Sequence, residues 1–520
     1  VTPARALIAR AGAAARWPAI VFILALIPRL IDLGTRPFWL DEVFTFQRAH
    51  LPPAALVQDS FFNHHMPSFF LLLAPFAALG HPQFWLRAPS AIFGAISVMM
   101  VFIIGRRIGG RMAGIIAALV LGLSPTALAF SQEARSYTME MSLILIALYG
   151  IVRLALDLPA AAAPLRRRAA VTGWLAFTLG SAAALDVLGD GMPWLITANI
   201  IFVVLVRQSP RPRQMLANLL IADAAVAILT APFYIAMLFF QDKGFVDSVM
   251  WIPALTLPRF WYDVGSVYLM RIPDSVTFKF MSVRTPELLI EFIEAGLLIA
   301  VAAATWRLRR RPAVFATLLV SFLFLPLLFT VVSIWRPILL PRYILWSAAP
   351  FAILAGIGAS ALLTHFRPRL RLSLLGAGVA LLLINMAPYY HVETKPRWDV
   401  AAKMLALDVQ PGDTVLLYDQ GALPILKLYL PAGVKATVLH NVVGNVADAQ
   451  TSLAQGKRVW AVFGHAGQNG GSQQWVNFYN KNEALGTPRQ IQVAGNRIYI
   501  ALYNPPSLAC LAPSAVAGCS

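Results

Sequence analysis

A succession of apolar runs, separated by short basic links, constrains this chain more than any other feature. A run of about 20 residues covers the ~30 Å hydrocarbon core of a bilayer when helical. Unsatisfied backbone N–H and C=O groups are too costly there, so each run has to be a helix. Spans are expected near 17–33, 86–105, 112–130, 136–156, 170–188, 192–206, 216–240, 286–306, 312–334, 342–364 and 372–391. Only 13% of the residues are charged and 58% are hydrophobic, whereas a soluble domain carries about a quarter charged residues. The 520 residues therefore read mainly as one multi-helix bundle in a membrane, not as several soluble domains.

The net charge of +18 suggests a polyanionic partner until its placement is considered. The arginines sit in the links: Arg106, Arg107 and Arg111; Arg166, Arg167 and Arg168; Arg207, Arg211 and Arg213; Arg307, Arg309, Arg310 and Arg311; Arg367, Arg369 and Arg371. That is the positive-inside pattern, which sets topology and implies no nucleic acid. With Arg5, Arg10 and Arg16, the N-terminus is expected in the cytoplasm, and the first apolar run reads as a signal anchor. The run at 66–80 is only about fifteen residues long and contains Pro75, which suits an interfacial segment. If it does not cross, every arginine cluster falls on one side. The expectation is thus eleven spans, with 34–85, 131–137, 241–285, 335–343 and the region from about 392 facing outward.

Composition changes after 391. Residues 397–408 read as a helix, and 413–419, 435–440 and 457–464 as strands. Residues 489–503 read as a hairpin around Gly495-Asn496. The expected organisation is a transmembrane domain over 1–391, an α/β domain over 392–505 outside the cytoplasm, and a tail at 506–520. The transmembrane part includes a first outer loop at 34–85 and a lid-like outer loop at 241–285 that carries Lys243, Trp251, Trp261, Tyr262, Tyr268 and Lys279. Cys510 and Cys519 can pair in an oxidising compartment or remain free thiols.

Polar groups near membrane depth are functional candidates by default. Asp41 and Glu42 follow the first span inside "RPFWLDEVFTFQRAH". Neighbours on a helix point about 100° apart, so the two cannot serve one point symmetrically. Two readings stand: carboxylates favouring a helix N-terminus, or an active-site acid with a supporting neighbour. His64 and His65, in "NHHMPSFF", suit either a divalent metal or a solvated loop. Glu133, Arg135 and Tyr137, with Gln132, occupy a tight turn, as a cavity wall or as a surface ion pair with an interfacial tyrosine. Arg342 and Tyr343 open a span on the side where basic residues should be scarce. An anionic ligand such as a phosphate accounts for that placement, since guanidinium offers a matching planar fork; a snorkelling arginine is the plainer account. Asp186 and Asp223 read as polar groups satisfied by neighbours, and "SAIFGAIS" as close helix packing.

The order of short elements resembles the bacterial GT-C superfamily, specifically the glycosyltransferase family 39 and lipid A aminoarabinose transferase-like group, relatives of the protein O-mannosyltransferases. The elements are "PRLIDLGTRPFWLDE", "NHHMPS", "RAPS", "GRRIGGR", "SPTALAFSQEARSY", "LPRYIL" and "KPRWDVAAKML" leading to "PGDTVLLYD". They cover about 29–140, 335–350 and 395–415. Asn63 stands where the family often has aspartate, and Met66 and Ser68 replace its proline and leucine, so any role of that carboxylate with metal or acceptor is open here.

The resemblance implies an α-helical polytopic GT-C enzyme in the bacterial inner membrane, with its site and C-terminal domain in the periplasm. It implies transfer of a monosaccharide, a hexose or pentose, from a polyprenyl-phosphate donor to an acceptor hydroxyl, with inversion. A phosphate leaves without a proton, so the chemistry asks for one base and for cationic or metal stabilisation of the leaving group. By resemblance and position, Asp41 is the base and Glu42 its support. Arg342 and Tyr343 meet the donor phosphate, and Glu133, Arg135 and Tyr137 shape the sugar's place. His65, with His64, holds a metal or meets the acceptor. The competing readings are a transporter or flippase of lipid-linked sugars, a ligase of polyprenyl-linked glycans, and a non-catalytic scaffold. A flippase would spread polar groups through the depth of its spans, often with an inverted repeat; here the candidates gather near one surface.

Overall fold

The computed structural model describes residues 3–158, 167–188, 191–240, 252, 254–271, 286–391, 394–418, 422–464, 483–494 and 498–505. The expectations for Cys510 and Cys519, the tail, the Gly495-Asn496 turn and most of the 241–285 loop, with Lys243, Trp251 and Lys279, lie outside these residues. The chain forms two compact units. One holds Val1–Leu33, Arg48–Pro273 and Arg284–Tyr390; the other includes Gly34–Gln47 and the residues from His391 onward.

The first unit is helical. It runs through α1 (Pro3–Leu30), then, after α2 (Leu40–Ala49), through α3 (Pro53–Phe62), α4 (Ser68–Ala77), α5 (Pro82–Gly109), α6 (Arg111–Gly122), α7 (Pro125–Ser131) and α8 (Tyr137–Asp157). It continues with α9 (Arg167–Leu185), α10 (Met192–Gln208), α11 (Pro212–Phe240), α12 (Leu257–Tyr268), α13 (Glu287–Leu308) and α14 (Pro312–Trp335). A 3₁₀ helix at Pro341–Ser347 leads into α15 (Ala348–Leu363), followed by α16 (Pro368–Met386) and the short α17 (Pro388–His391). Among the described residues, seven helices are long and apolar enough to cross a membrane: α5, α8, α11, α13, α14, Pro341–Leu363 and Pro368–His391. The protein is a multi-pass membrane protein. Of the remaining expected spans, 17–33 lies largely in α1, and α9 and α10 are shorter apolar helices; α4, in the run expected not to cross, has 10 residues and rises only ~15 Å.

The expected span at 112–130 is broken. α6 and α7 meet at 66° across Leu123 and Ser124. Pro125 lacks an N–H and starts a new helix, and Ser124 Oγ accepts from the Ala127 N–H at 3.3 Å as its cap. Helices elsewhere approach closely where glycine permits: a Cβ on Gly358 of α15 would lie 1.6 Å from the Ala300 carbonyl oxygen of α13.

The second unit is built on a five-stranded sheet in the order β2-β1-β3-β5-β4. Its elements after α18 (Trp398–Asp408) are β1 (Thr414–Leu417), α19 (Ala422–Tyr429), α20 (Ala432–His440), β2 (Val442–Val443), α21 (Val446–Ala454), β3 (Val459–Phe463), β4 (Gln490–Ala494) and β5 (Ile498–Tyr503). β1 is parallel to β2 and β3, and β5 is antiparallel to β3 and β4. The strand expected at 435–440 is instead the end of α20; the strand follows it, as only Val442–Val443. That segment, "KATVLH", has β-branched residues but no alternation, and its Lys435 and Ala436 suit a helix. β1, β3 and β5 are buried along their whole length, which requires near-continuous apolar runs. Asp413 ties the start of β1 to β3. Arg458 donates to both its oxygens, at 2.8 and 2.5 Å, and Trp460 Nε1 donates at 2.9 Å.

Candidate functional site

In the second unit, α2 starts just before the two carboxylates, with Trp39 at its cap position. Glu42 is fully buried, and its Oε2 accepts from the Trp39 backbone N–H at 3.4 Å. This is the reach-back half of a capping box, in which the third helical residue satisfies the cap's own N–H. Asp41 is partly buried in the first turn, and its carbonyl accepts from Thr45 Oγ1 at 3.0 Å. Glu42 thus meets the helix-start reading of the doublet, and Asp41 lies beside it in the same first turn.

The aromatic flank is held by the C-terminal residues of the same unit. Tyr429 Oη accepts from the Phe38 N–H at 2.6 Å, Arg36 donates to Thr394 Oγ1 at 2.8 Å, and Lys395 Nζ lies 5.0 Å from the Trp39 ring centroid. Phe38 is fully buried and packs on Phe46 at 5.8 Å.

In the first unit, the turn after α7 is buried. Glu133 is 2% exposed, Arg135 8% and Tyr137 3%, so this is no solvated surface pair. The turn is tied on three sides. Ser90 Oγ donates to the Arg135 carbonyl at 2.9 Å, and the Ser90 carbonyl accepts from Thr138 Oγ1 at 2.8 Å. Gln132 Nε2 donates to the carbonyls of Arg29 and Ile31 at 3.1 and 2.6 Å, and its Oε1 accepts from Tyr389 Oη at 2.8 Å. Arg29, wholly buried, donates to Ser131 Oγ at 3.1 Å and to the Ala25 carbonyl at 2.8 Å. Gly94 leaves room for this: a Cβ there would meet Ser131 Oγ at 2.2 Å and Arg29 Nε at 2.8 Å. The "PRL", "RAPS" and "SQEARSY" elements are therefore joined in space, with Arg87 also donating to the Leu33 carbonyl at 3.0 Å.

Arg342 and Tyr343 lie on the 3₁₀ helix, both partly buried. That helix packs on α7 and α8, the two helices that the Glu133 turn joins. The Arg342 guanidinium is 5.2 Å from the Tyr343 ring, which stacks on Phe329 at 6.2 Å. α12, the described part of the 241–285 loop, packs against the same 3₁₀ helix, and Tyr268 Oη shares a hydrogen bond with Ser347 Oγ at 2.6 Å. Trp261 of α12 is half exposed.

His64 and His65 join α3 to α4, His64 with a left-handed φ of 59°. Burial, then Arg135, Arg48 and His64, hold the His65 imidazole well below its ordinary range. Arg48 lies over Phe70 at 4.5 Å and pairs with Asp59 at 2.5 Å; His65 approaches the same ring at 5.9 Å. A metal does not fit the expected pair: among the described residues no group of three His, Cys, Asp or Glu side chains converges. The neighbouring arginines also oppose a dication. The sequence reading missed Arg48, Ser90 and Tyr389. Ser90 sits in "RAPS", and Tyr389 closes the last span, where an interfacial anchor would be assumed.

The two units define a class: a polytopic helical membrane protein with a mixed α/β unit. The particular fold follows from solved structures. ArnT from Cupriavidus metallidurans in the apo state superposes with a TM-score of 0.58 at 14% identity, over 94% of this chain and 98% of that one. ArnT from the same organism bound to undecaprenyl phosphate gives 0.53 at 14% identity, with the same coverage. The Archaeoglobus fulgidus oligosaccharyltransferase tethered with an acceptor peptide gives 0.50 at 12%, over 90% of this chain and 71% of that one. No protein-family model matches the chain, and no curated protein does. The fold is the GT-C fold.

Proposed function

We propose that the protein is an inverting glycosyltransferase that moves a monosaccharide from a polyprenyl-phosphate donor to an acceptor hydroxyl at the periplasmic face of the bacterial inner membrane. The observation that carries this reading is the likeness to ArnT over almost the whole of both chains, one of those structures with undecaprenyl phosphate bound. The site residues support it. A phosphate leaving group departs without a proton, so one base suffices. Asp41 takes that role: it is partly buried at a helix start, and Glu42 rather than Asp41 caps the helix. The base removes the acceptor proton as the hydroxyl oxygen attacks the anomeric carbon and the bond to the donor phosphate breaks.

Arg342 receives the developing phosphate charge, with Tyr343 fixing its guanidinium face. Glu133, Arg135 and Tyr137, on a turn tied by Ser90, Gln132 and Thr138, set the walls for the donor sugar. Any metal would bind through groups other than a His64–His65 pair alone, and no step here depends on one. Domain roles follow: the helical unit holds the lipid tail, and the α/β unit over 392–505 faces the periplasm and selects acceptor.

The test is purified protein with radiolabelled polyprenyl-phosphate monosaccharides and membrane extract as acceptor source. Saturable sugar transfer with inverted product, weakened strongly in Arg342→Ala, is the expected result. No donor turnover across a panel of hexoses and pentoses would count against the enzyme reading and in favour of a flippase.

A further inference from the structure

The short helix α2 carries a polar stripe of which the transferase reading uses one member. Asp41, Thr45 and Arg48 follow at i, i+4 and i+7, so they share one side of the helix over about 10 Å of its axis. Thr45 is fully buried and Arg48 is 5% exposed, whereas Phe44, on another side, is 40% exposed. Arginine is almost never buried so deeply without partners for its charge and its N–H groups, so the partners of Arg48 decide what it is for.

Among the described residues Arg48 has one ion pair, Nε to Asp59 at 2.5 Å, and its guanidinium lies over Phe70 at 4.5 Å. Asp59 is fixed in turn by Asn63, whose Nδ2 donates to its Oδ1 at 3.2 Å and to its carbonyl at 2.9 Å. An aspartate at 63 would set a second carboxylate beside Asp59; the asparagine offers a donor instead and leaves Arg48 one acid. The far end of the guanidinium is not used: Nη1 is buried and has no hydrogen-bond partner among the described residues. Burial weighs most against this cation, the Asp59 pair works for it, and the Arg135 charge adds to the cost. Arg135 and Arg48 also bear on His65, whose ring lies 5.9 Å from that of Phe70. A buried guanidinium N–H is costly to leave unpaired. A water would pair it; an oxyanion would pair it and also lower the repulsion between Arg48 and Arg135.

We propose that Arg48 binds an oxyanion, a phosphate or carboxylate, that the acceptor carries apart from its reacting hydroxyl. The inference rests on the transferase reading, which gives the donor phosphate to Arg342 and the acceptor's proton to Asp41. Arg48 shares the Asp41 stripe of α2, two turns on, so its anion belongs to the molecule that Asp41 deprotonates, about 10 Å from the reacting oxygen. The guanidinium end presents two N–H groups in a plane that matches the two oxygens of such a group. Asp59, Asn63 and Phe70 are positioning residues that hold this plane.

Full-length protein, delipidated in detergent, is titrated with three lipids of one tail: dioctanoyl phosphatidic acid, dioctanoylglycerol hemisuccinate and dioctanoylglycerol. Undecaprenyl phosphate is titrated separately, and all are followed by native mass spectrometry. Saturable binding of a phosphate or carboxylate head is expected, with little binding of the neutral one, and the tighter of the two names the group. Arg48→Gln should weaken that anion at least about ten-fold and undecaprenyl phosphate less than about two-fold; Arg342→Ala should do the opposite. Arg48→Lys keeps a charge beside Asp59 but not the fork, so it serves if Arg48→Gln does not fold, and it should still lose about three-fold or more. Equal loss of the anionic probe and undecaprenyl phosphate in Arg48→Gln would put Arg48 in the donor site and overturn the proposal. So would a wild type that binds all three heads alike, or an Arg48→Lys protein that binds as the wild type does. These readouts need no turnover. Absent sugar transfer with the binding pattern intact counts against the transferase reading, and a lost pattern with transfer intact counts against this one.

Discussion

The two carboxylates of the Asp-Glu pair make separable predictions. Asp41→Asn removes the proposed base but leaves the helix start intact, since Glu42 does the capping. Loss of a general base costs about 10²–10⁴-fold, which is about 3–5 kcal/mol in the barrier. Stability should fall only by the dipole interaction of the Asp41 first-turn charge, about 0.3–1 kcal/mol. Glu42→Gln does the reverse. The amide oxygen can still accept the Trp39 N–H, but the bond is already long at 3.4 Å, and the negative charge at the helix N-terminus is lost. A dipole interaction of about 0.3–1 kcal/mol and part of a hydrogen bond of about 1 kcal/mol put the stability loss near 1 kcal/mol. Sugar transfer per folded molecule should fall less than about ten-fold. The assay is single-turnover transfer from a radiolabelled polyprenyl-phosphate sugar, alongside thermal unfolding in detergent. Full transfer by Asp41→Asn, or a Glu42→Gln protein that is stable but inactive, would refute the division of roles.

Gly94→Ala places a Cβ 2.2 Å from Ser131 Oγ and 2.8 Å from Arg29 Nε; overpacking and the lost bond should cost roughly 3 kcal/mol, read as a lower melting temperature, and an unchanged one would contradict the packing described. Asp413→Asn takes the charge from the acid that Arg458 and Trp460 grip; breaking such a pair costs about 3 kcal/mol, so amides of β1 and β3 should exchange faster in the full chain, and unaltered exchange would argue against that anchor. Burial and the nearby arginines keep His65 neutral in the folded chain, whereas the unfolded chain protonates it near pH 6.5. Stability from this source is therefore complete above that pH and declines below it, by up to about 1.4 kcal/mol per pH unit; His65→Gln should lose that slope between pH 7 and 5, and parallel melting curves for the two proteins would count against it.

How much of this was legible in the sequence depends on which force sets each element. Spans are set by hydrocarbon thickness, a property of composition, so α5, α8, α11, α13 and α14 fall where their apolar runs lie. The break between α6 and α7 is local chemistry, Ser124 and Pro125, yet it hid inside an uninterrupted apolar run. The strand assigned at 435–440 failed because a short β-branched segment carries no periodicity to separate strand from helix. At the site, the sequence named Glu133 and Arg135 but placed them at a surface. Their burial comes from partners far along the chain, Ser90 and, through Gln132, Tyr389, that no local pattern connects. Arg48 escaped notice for the same reason: its neighbours His65 and Arg135 meet it only in three dimensions.

The doublet itself shows why adjacency misleads. Side by side in sequence, two carboxylates suggest a shared proton or a shared metal. On a helix they diverge by about 100°, and the first turn gives each a different role. One can fold back onto the cap's N–H, and the other cannot do so at the same time. A reaction whose leaving group needs no proton asks for a single base. The bond from Trp39 assigns the helix start to Glu42, and the proposed reaction then takes Asp41 as its base. A glycosidase-like pair would instead need both carboxyls aimed at one bond across a gap of roughly 5–10 Å, a demand that neighbours on one helical turn cannot meet.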